Sequence, residues 1–305
     1  MNGEKSRPLN LHLIFQPWEV AAIPELPEVE TVRRGLAPVM EGARFAKVTL
    51  NRPDLRFPFA PDFIERVQGQ RLTRLSRRAK FLRADLSSGE TLYMHLGMSG
   101  RFIIEGDPAL ANFTHEHAAN PKHHHVVFEM EHPVSGGATI TFNDPRRFGF
   151  MELVGVDEPY RLDHIGPEPL GNSFNGPVLR AALKGKKSKI KAALLDQRVV
   201  AGLGNIYVCE ALYRTGISPR RAAGRLKVAE TDALAAHIKD VLAAAIEAGG
   251  SSLRDFANTD GKLGYFQHSF DVYGREGEDC TSCAAPIKRI VQSGRSSFFC
   301  GVCQR

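Results

Sequence analysis

Apolar residues recur at helical spacing from Leu26 through Val29 and Val32 to Leu36. They predict a helix from Pro24 to about Gly35, with Pro27 in its first turn and Glu28 and Glu30 near the positive end of its dipole. The pattern then changes to short apolar or alternating runs: Ala46 to Leu50, Arg71 to Ser76, Phe81 to Asp85, Thr91 to Leu96, Arg101 to Glu105, Val126 to Glu131 and Thr139 to Phe142. Turns rich in Gly, Pro and Ser separate these runs, which predicts a β-sandwich. Residues 106–125 read as a polar loop, and 155–177 as an interdomain connection rich in Gly and Pro. Helical spacing returns in Ile190 to Leu195, Tyr207 to Arg214 and Val228 to Ala248. The stretch from about Asp271 to Arg305 is too short for a hydrophobic core of its own, so a bound metal is expected to replace one. The fold class is therefore α+β: a short helix and sandwich, a helical region, and a metal-held C-terminal ribbon.

Composition narrows the class of partner. With 43% hydrophobic residues in 305, the chain can bury real cores. Lys and Arg number 40 against 34 Asp and Glu, a net charge of +6. The surplus is clustered at Arg71, Arg74, Arg77, Arg78 and Lys80, again at Lys184, Lys186, Lys187, Lys189 and Lys191, and again at Arg220, Arg221, Arg225 and Lys227. Such patches suit a polyanion, and binding should weaken with salt. No apolar run approaches the roughly 20 residues that span a bilayer. Residues 1–23 hold Lys5, Arg7 and a short apolar patch from Leu11 to Phe15 interrupted by His12, which makes a poor signal peptide. An odd count of 5 cysteines points to a reducing cytosol without a disulfide framework, and Cys209, in an apolar helical context, is expected in the core.

The other four cysteines carry the strongest local signal. Cys280-x2-Cys283 and Cys300-x2-Cys303 have the knuckle spacing of one tetrahedral Zn²⁺. Four thiolates leave no open coordination position, so this zinc is expected to be structural. Lys288, Arg289, Gln292 and Arg295 lie between the pairs, with Phe298 and Phe299 placed to pack beneath the hairpin. A second signal is Gly202-Leu203-Gly204-Asn205, where glycines before a helix leave backbone N–H groups free for a phosphate. Taken alone it reads more readily as an ordinary helix–helix turn.

Together with Pro24-Glu25-Leu26-Pro27-Glu28-Val29-Glu30, these motifs resemble those of the formamidopyrimidine-DNA glycosylases, bacterial enzymes that excise oxidised purines, and the resemblance runs over nearly all of 24–305. Arg77-Arg78-Ala79-Lys80 resembles the strand whose lysine, here Lys80, contacts phosphate and moves a proton in elimination. His95-Leu96-Gly97-Met98-Ser99-Gly100 resembles the segment whose methionine, Met98, enters the gap left by the extruded nucleotide. Asp144-Pro145-Arg146-Arg147-Phe148-Gly149 resembles the loop that sets an arginine, Arg146, on the estranged base and a phenylalanine wedge, Phe148. The resemblance further implies DNA contacts for His123, Lys186 and Asn205, a mobile lesion loop at Asp260-Gly261-Lys262 to Gly264-Tyr265-Phe266, and a phosphate-gripping Arg295. It implies that Pro24 is the nucleophile, Glu25 the proton donor, and Glu28 an orienter of the N-terminus. The implied architecture is a catalytic sandwich (24–154), a linker (155–177), a helix–two-turn–helix DNA-binding domain with the lesion loop (178–270) and a zinc finger (271–305). The implied partner is duplex DNA with oxidised bases or abasic sites, bound by a monomer in a bacterial cytoplasm, at the nucleoid. Phe148 and the full-length loop favour the purine-specific branch over the endonuclease VIII type, which prefers oxidised pyrimidines.

In that family the proline begins the mature chain, whereas here residues 1–23 precede it. An acylated proline nitrogen is a tertiary amide with a delocalised lone pair and no attacking power. The expectation is that 1–23 is an extension outside the working enzyme, with translation starting at the Ile23 codon and the initiator Met removed. Proteolytic trimming would have the same effect. If Pro24 stayed blocked, the chain would instead be a non-catalytic zinc-ribbon protein that recognises damaged or bent DNA.

Overall fold

The computed structural model describes residues 24–106, 120–134, 136–251 and 266–305. Expectations for residues 1–23, for most of the polar loop and for 260–265 of the lesion loop lie outside these.

Helix α1 (Leu26–Met40) starts with Pro27 in its first turn, and the Glu25 backbone N–H donates to Glu28 Oε2 at 2.9 Å. The helix runs past the expected end at Gly35 and carries Pro38 inside it. Proline there sacrifices one backbone bond, but Val39 and Met40 are buried, and that gain holds the last turn. Along its length α1 joins two cores. Leu26 packs in the cluster formed by the C-terminal helices, while Val29, Val32 and Leu36 pack in that of the sandwich.

The sandwich has two antiparallel sheets. The first is ordered β1 (Arg44–Leu50), β6 (His124–His132), β7 (Gly136–Asn143) and β5 (Arg101–Glu105). The second is β2 (Leu72–Arg78), β3 (Phe81–Leu86), β4 (Thr91–His95) and β8 (Phe150–Val154). Phe45, Phe128 and Phe142 fill the space between them, with the Phe45 and Phe128 rings edge to face at 5.2 Å. The short helix α2 (Phe63–Val67) seals one end through Phe63 and Val67. Neither α2 (5 residues) nor β8 (5 residues) is among the elements expected from the hydrophobic pattern. β8 closes the second sheet by pairing His95 with Phe150.

After the turns that follow β8 come α3 (Gly176–Leu183), α4 (Ile190–Leu195), α5 (Asn205–Arg214) and α6 (Val228–Glu247). α3 was not expected as a helix. Asn175 Oδ1 caps it by accepting from Val178 N at 3.0 Å, with Pro177 in the first turn, so the Gly and Pro that read as linker are its start signal. Tyr207 lies at the centre of this core, and Cys209 is buried there as expected. The ribbon hairpin β9 (Ile287–Gln292) and β10 (Arg295–Cys300) turns at Ser293–Gly294, both at positive φ. Phe298 and Phe299 are buried beneath it.

The basic clusters are less free than their composition suggests. Arg77 and Arg78 are tied to carboxylates, Arg221 pairs with Glu230, and Lys191 is 1% exposed. Lys191 is thus no part of a solvated face. Its Nζ donates to Ser296 O at 2.6 Å and to Ser297 Oγ at 2.7 Å, pinning the ribbon to α4.

Candidate active site

Four segments converge where α1 begins: Pro24–Glu25, the β2–β3 turn with Ala79 and Lys80, the Gly202–Asn205 loop, and the ribbon tip at Ser293–Arg295. Pro24 and Glu25 are both buried. Leu26 N donates to Gly202 O at 3.2 Å, which sets the entry of α1 against the loop. Glu25 Oε1 accepts from Ile206 N at 3.0 Å, and Oε2 has no partner. Glycine is required at 204, since a Cβ there would lie 2.0 Å from the Glu25 carboxyl carbon. At Gly202, φ is +74° and a Cβ would meet the Leu26 side chain at 2.7 Å. The two glycines of this loop therefore make room for the carboxylate as well as for a turn.

Burial raises the Glu25 carboxyl to about 7, although the nearby Lys80 ammonium and the Ile206 and Tyr207 N–H groups favour its charged form. It can therefore hold a proton much closer to neutral pH than an ordinary carboxyl does. Glu28 is fixed by Tyr207 Oη–H at 2.5 Å, Ser251 N at 2.9 Å and Ser251 Oγ at 2.8 Å, besides the Glu25 N–H. Its carboxylate thus clamps the backbone at Glu25 to the core of the helical region.

Lys80, His95 and Arg295 line one cavity of about 350 Å³, with Phe81, Gln197 and Leu203 among its other walls. Desolvation pushes the Lys80 amine down from its ordinary value, Glu25 opposing this and Arg295 reinforcing it. His95 carries chemistry that the sequence reading did not assign. Its Nδ1 accepts from Gly97 N at 2.9 Å, so in the neutral ring the proton sits on Nε2. Desolvation first, then Lys80, lowers its pKa to about 4. It is therefore a neutral hydrogen-bond donor at pH 7. The only signal in the sequence is its position at the end of the Thr91 to Leu96 run, two residues before a glycine.

Beside the cavity, the Leu96–Gly100 and Asp144–Gly149 segments interlock. Gly97 has φ +64°, and a Cβ there would lie 2.3 Å from Gly149 N. Asp144, 0% exposed, organises both: Oδ1 accepts from Ser99 Oγ at 2.5 Å and Arg146 N at 3.2 Å, and Oδ2 from Gly149 N at 2.8 Å. His125 Nε2 donates to its carbonyl at 2.8 Å. On this frame Arg146 and Phe148 are exposed, the guanidinium carbon 5.4 Å from the ring centroid, and Met98 is half-buried. His123 ends a short 3₁₀ turn just before β6. Lys186 is not on the cavity; it sits in the loop after α3, where its carbonyl accepts from Gly224 N at 2.9 Å. Asn205, expected as a phosphate donor, turns its amide to Ser296 O at 3.1 Å and so holds the ribbon tip that carries Arg295.

The sulfurs of Cys280, Cys283, Cys300 and Cys303 lie within 4.8 Å of one another, with Cys283–Cys300 at 3.5 Å and Cys280–Cys303 at 3.9 Å. A tetrahedral ion about 2.3 Å from each sulfur needs edges of roughly 3.8 Å. The set fits one Zn²⁺ and leaves no position for water, so the metal is structural.

Comparison with known proteins agrees with this geometry. The formamidopyrimidine-DNA glycosylase N-terminal domain model matches residues 23–151, the H2TH domain model of the same family matches 165–257, and a zinc finger model found in this family and in an isoleucyl-tRNA synthetase matches 277–305. The chain belongs to the formamidopyrimidine-DNA glycosylase family. Relatives of that name include one from Ruegeria pomeroyi, 61% identical, and one from Rhodopseudomonas palustris, 56% identical; each is covered in full by 93% of this chain. Among solved structures, the Thermus thermophilus MutM (Fpg) protein superposes with a TM-score of 0.78 at 39% identity, covering 92% of this chain and 98% of that one. A Lactococcus lactis Fpg complexed with abasic-site DNA gives 0.79 at 34%, covering 92% and 100%.

Two substitutions test the framework. Gly204→Ala should expel the Glu25 carboxylate and lower stability by about 1–3 kcal/mol in urea unfolding, with the Glu25 titration moving toward the ordinary carboxylate range. Cys280→Ser should take bound zinc from one per chain toward none and strip hydrogen-exchange protection from the hairpin strands while sparing the sandwich.

Proposed function

We propose that this chain excises oxidised purines, 8-oxoguanine and formamidopyrimidines, from duplex DNA and then cleaves the abasic strand by β,δ-elimination. One observation carries the reading: α1 is preceded by a buried proline and a buried carboxyl held by Ile206 N, beside a cavity lined by Lys80, His95 and Arg295. Extrusion of the damaged nucleotide comes first. Met98, Arg146 and Phe148 fill the void, which offsets part of the unstacking cost. The Pro24 nitrogen then attacks C1′ of the sugar, the bond to the base breaks, and Glu25 supplies the proton toward the ring oxygen or the departing base. The adduct loses its one N–H proton, and the C1′–O4′ bond opens with O4′ taking a proton, which gives the iminium; a secondary amine reaches it without losing a second proton. The iminium acidifies the adjacent sugar protons, and stepwise loss of the two phosphates nicks the strand on both sides. In this reading Lys80, His95 and Arg295, which line one cavity, hold those phosphates, and Lys80 also moves a proton. Asn205 supports Arg295, and His123 and Lys186 extend the DNA contact.

This chemistry needs a free amine at Pro24, so the proposed working chain starts at residue 24. A terminal amine, with a pKa near 7.7–8.0 against about 10.4 for lysine, is far more available at neutrality. All the assigned residues belong to one chain, and the proposed working unit is a monomer. No described helix is long and apolar enough to cross a membrane, and the proposed place of action is the bacterial cytoplasm, at the nucleoid.

Borohydride trapping on an abasic-site duplex should give a covalent adduct with the chain that starts at Pro24 and none when residues 1–23 remain attached, as read by intact mass. Pro24→Gly in the short form should keep DNA binding and lose most of the adduct. An adduct of equal yield from the blocked chain would refute the assignment of the nucleophile.

The base-release rate should be bell-shaped in pH. It rises as the amine loses its proton near 8 and falls as Glu25 loses its own near 7, which places the maximum at about 7.5. Glu25→Gln should abolish the falling limb along with most of the rate, measured in single turnover.

A further inference from the structure

Lys80 follows a residue in an unusual conformation. Ala79, 1% exposed, has φ +53°, a region that disfavours any residue with a Cβ unless its surroundings impose it. The two-residue hairpin turn between paired Arg78 and Phe81 calls for such a φ at its first position, and contacts from outside the sandwich hold the turn in place. Glu168 Oε1 accepts from Ala79 N at 2.6 Å and from Arg78 Nη1 at 2.9 Å, and Oε2 accepts from Arg77 Nη1 at 2.7 Å. Arg77 Nη1 also donates to Ala79 O at 2.9 Å, so both polar groups of the Ala79 backbone are held. Arg78 Nη2 reaches the linker carbonyls of Ile165 at 2.7 Å and Gly166 at 2.8 Å.

The linker is in turn seated on the helical region. Gly166 N donates to Gln197 O at 2.8 Å, and Ala201 N donates to Pro167 O at 3.0 Å. A Cβ at 166 would lie 2.7 Å from Arg198 O, so glycine alone permits this approach. Pro167 and Pro169 flank Glu168 and stiffen the segment. Gln197 completes the path: its Oε1 accepts from Gly202 N at 2.7 Å and its Nε2 donates to Leu203 O at 3.0 Å. An unbroken line of hydrogen bonds thus joins the turn before Lys80 to the loop that receives Glu25.

We propose that Glu168 is a positioning residue for the elimination step: through the Ala79 N–H and the two arginines it sets the turn that places Lys80 at the cavity, in register with the start of α1. The inference rests on the reading of Lys80 as the group that meets phosphate and moves a proton. The arrangement differs from an ordinary ion pair in that one of its donors is the backbone immediately before the acting residue. A side-chain displacement of about 1 Å is enough to cost a reaction orders of magnitude, whereas DNA affinity, spread over many contacts, is insensitive to it.

The test uses the full chain beginning at Pro24 and a duplex with a pre-formed abasic site. Glu168→Ala should slow single-turnover elimination by about tenfold or more, with the Kd for the duplex within about twofold of the parent and the zinc content unchanged. Glu168→Gln, which keeps an acceptor for Ala79 N–H, should recover part of the rate. Elimination at the parental rate in Glu168→Ala, or a weakened Kd with the rate constant held, would overturn the proposal. Absence of any adduct from the parent chain would instead refute the proposed activity, so the two failures are distinct. Should Glu168→Ala fail to fold, Arg78→Gln removes the Arg78 bonds to Glu168, Ile165 and Gly166 but leaves Glu168 on Ala79 N–H; slowed elimination with an unchanged Kd is again expected, and elimination at the parental rate would overturn the proposal.

Discussion

Everything in the site depends on one enforced burial, that of the Glu25 carboxyl against the Gly202–Asn205 loop. A carboxyl out of water resists ionisation, and here the neighbouring Lys80 and two backbone N–H groups reduce that resistance without cancelling it. The outcome is a group poised near neutrality beside the atom proposed to attack. No Cβ can be accommodated at position 204, and position 202 must take a positive φ, so the loop is shaped around a side chain from the other end of the chain. Glu28 adds the complementary restraint by holding the Glu25 backbone to Tyr207 and Ser251.

The zinc ribbon obeys the same logic at longer range. Its knuckles are held by metal, but its tip is held by protein: Lys191 and Asn205 both donate to the Ser296 carbonyl, one residue from Arg295. Burying the Lys191 ammonium costs solvation, and two short hydrogen bonds offset it. The buried lysine acts together with Phe298, packed in the helical core, and Gln292 Nε2, which donates to Pro219 O at 3.2 Å, to seat the hairpin.

Much of this was legible in the chain. The strands, most helices, the zinc ligands and the order of the motifs follow from periodicity, spacing and resemblance. What escaped were features decided by tertiary contact. Lys191 looks like one more charge in a basic run, because nothing local reveals that a ribbon more than a hundred residues later covers it. Arg77 and Arg78 read as a surface patch for the same reason, their partner Glu168 lying in a stretch that passes for plain linker. α3 was hidden because Pro177 and Gly176 signal equally a loop or a helix start, and the cap from Asn175 decides it. His95 stood in a recognised motif but gained a role only when its Nδ1 was seen to be occupied, which leaves one tautomer.

Helix α1 belongs by sequence to the sandwich, yet Leu26 is buried in the core of the other half. This makes the two halves poor candidates for exchange. A sandwich transplanted from a relative would carry its own first helix, and that helix must fit a loop and a pair of glycines it did not evolve beside. Recombination at the linker would break a shape match that is invisible at the join. The divide between the two cores falls within the first turn of α1, between Leu26 and Val29, rather than at the linker.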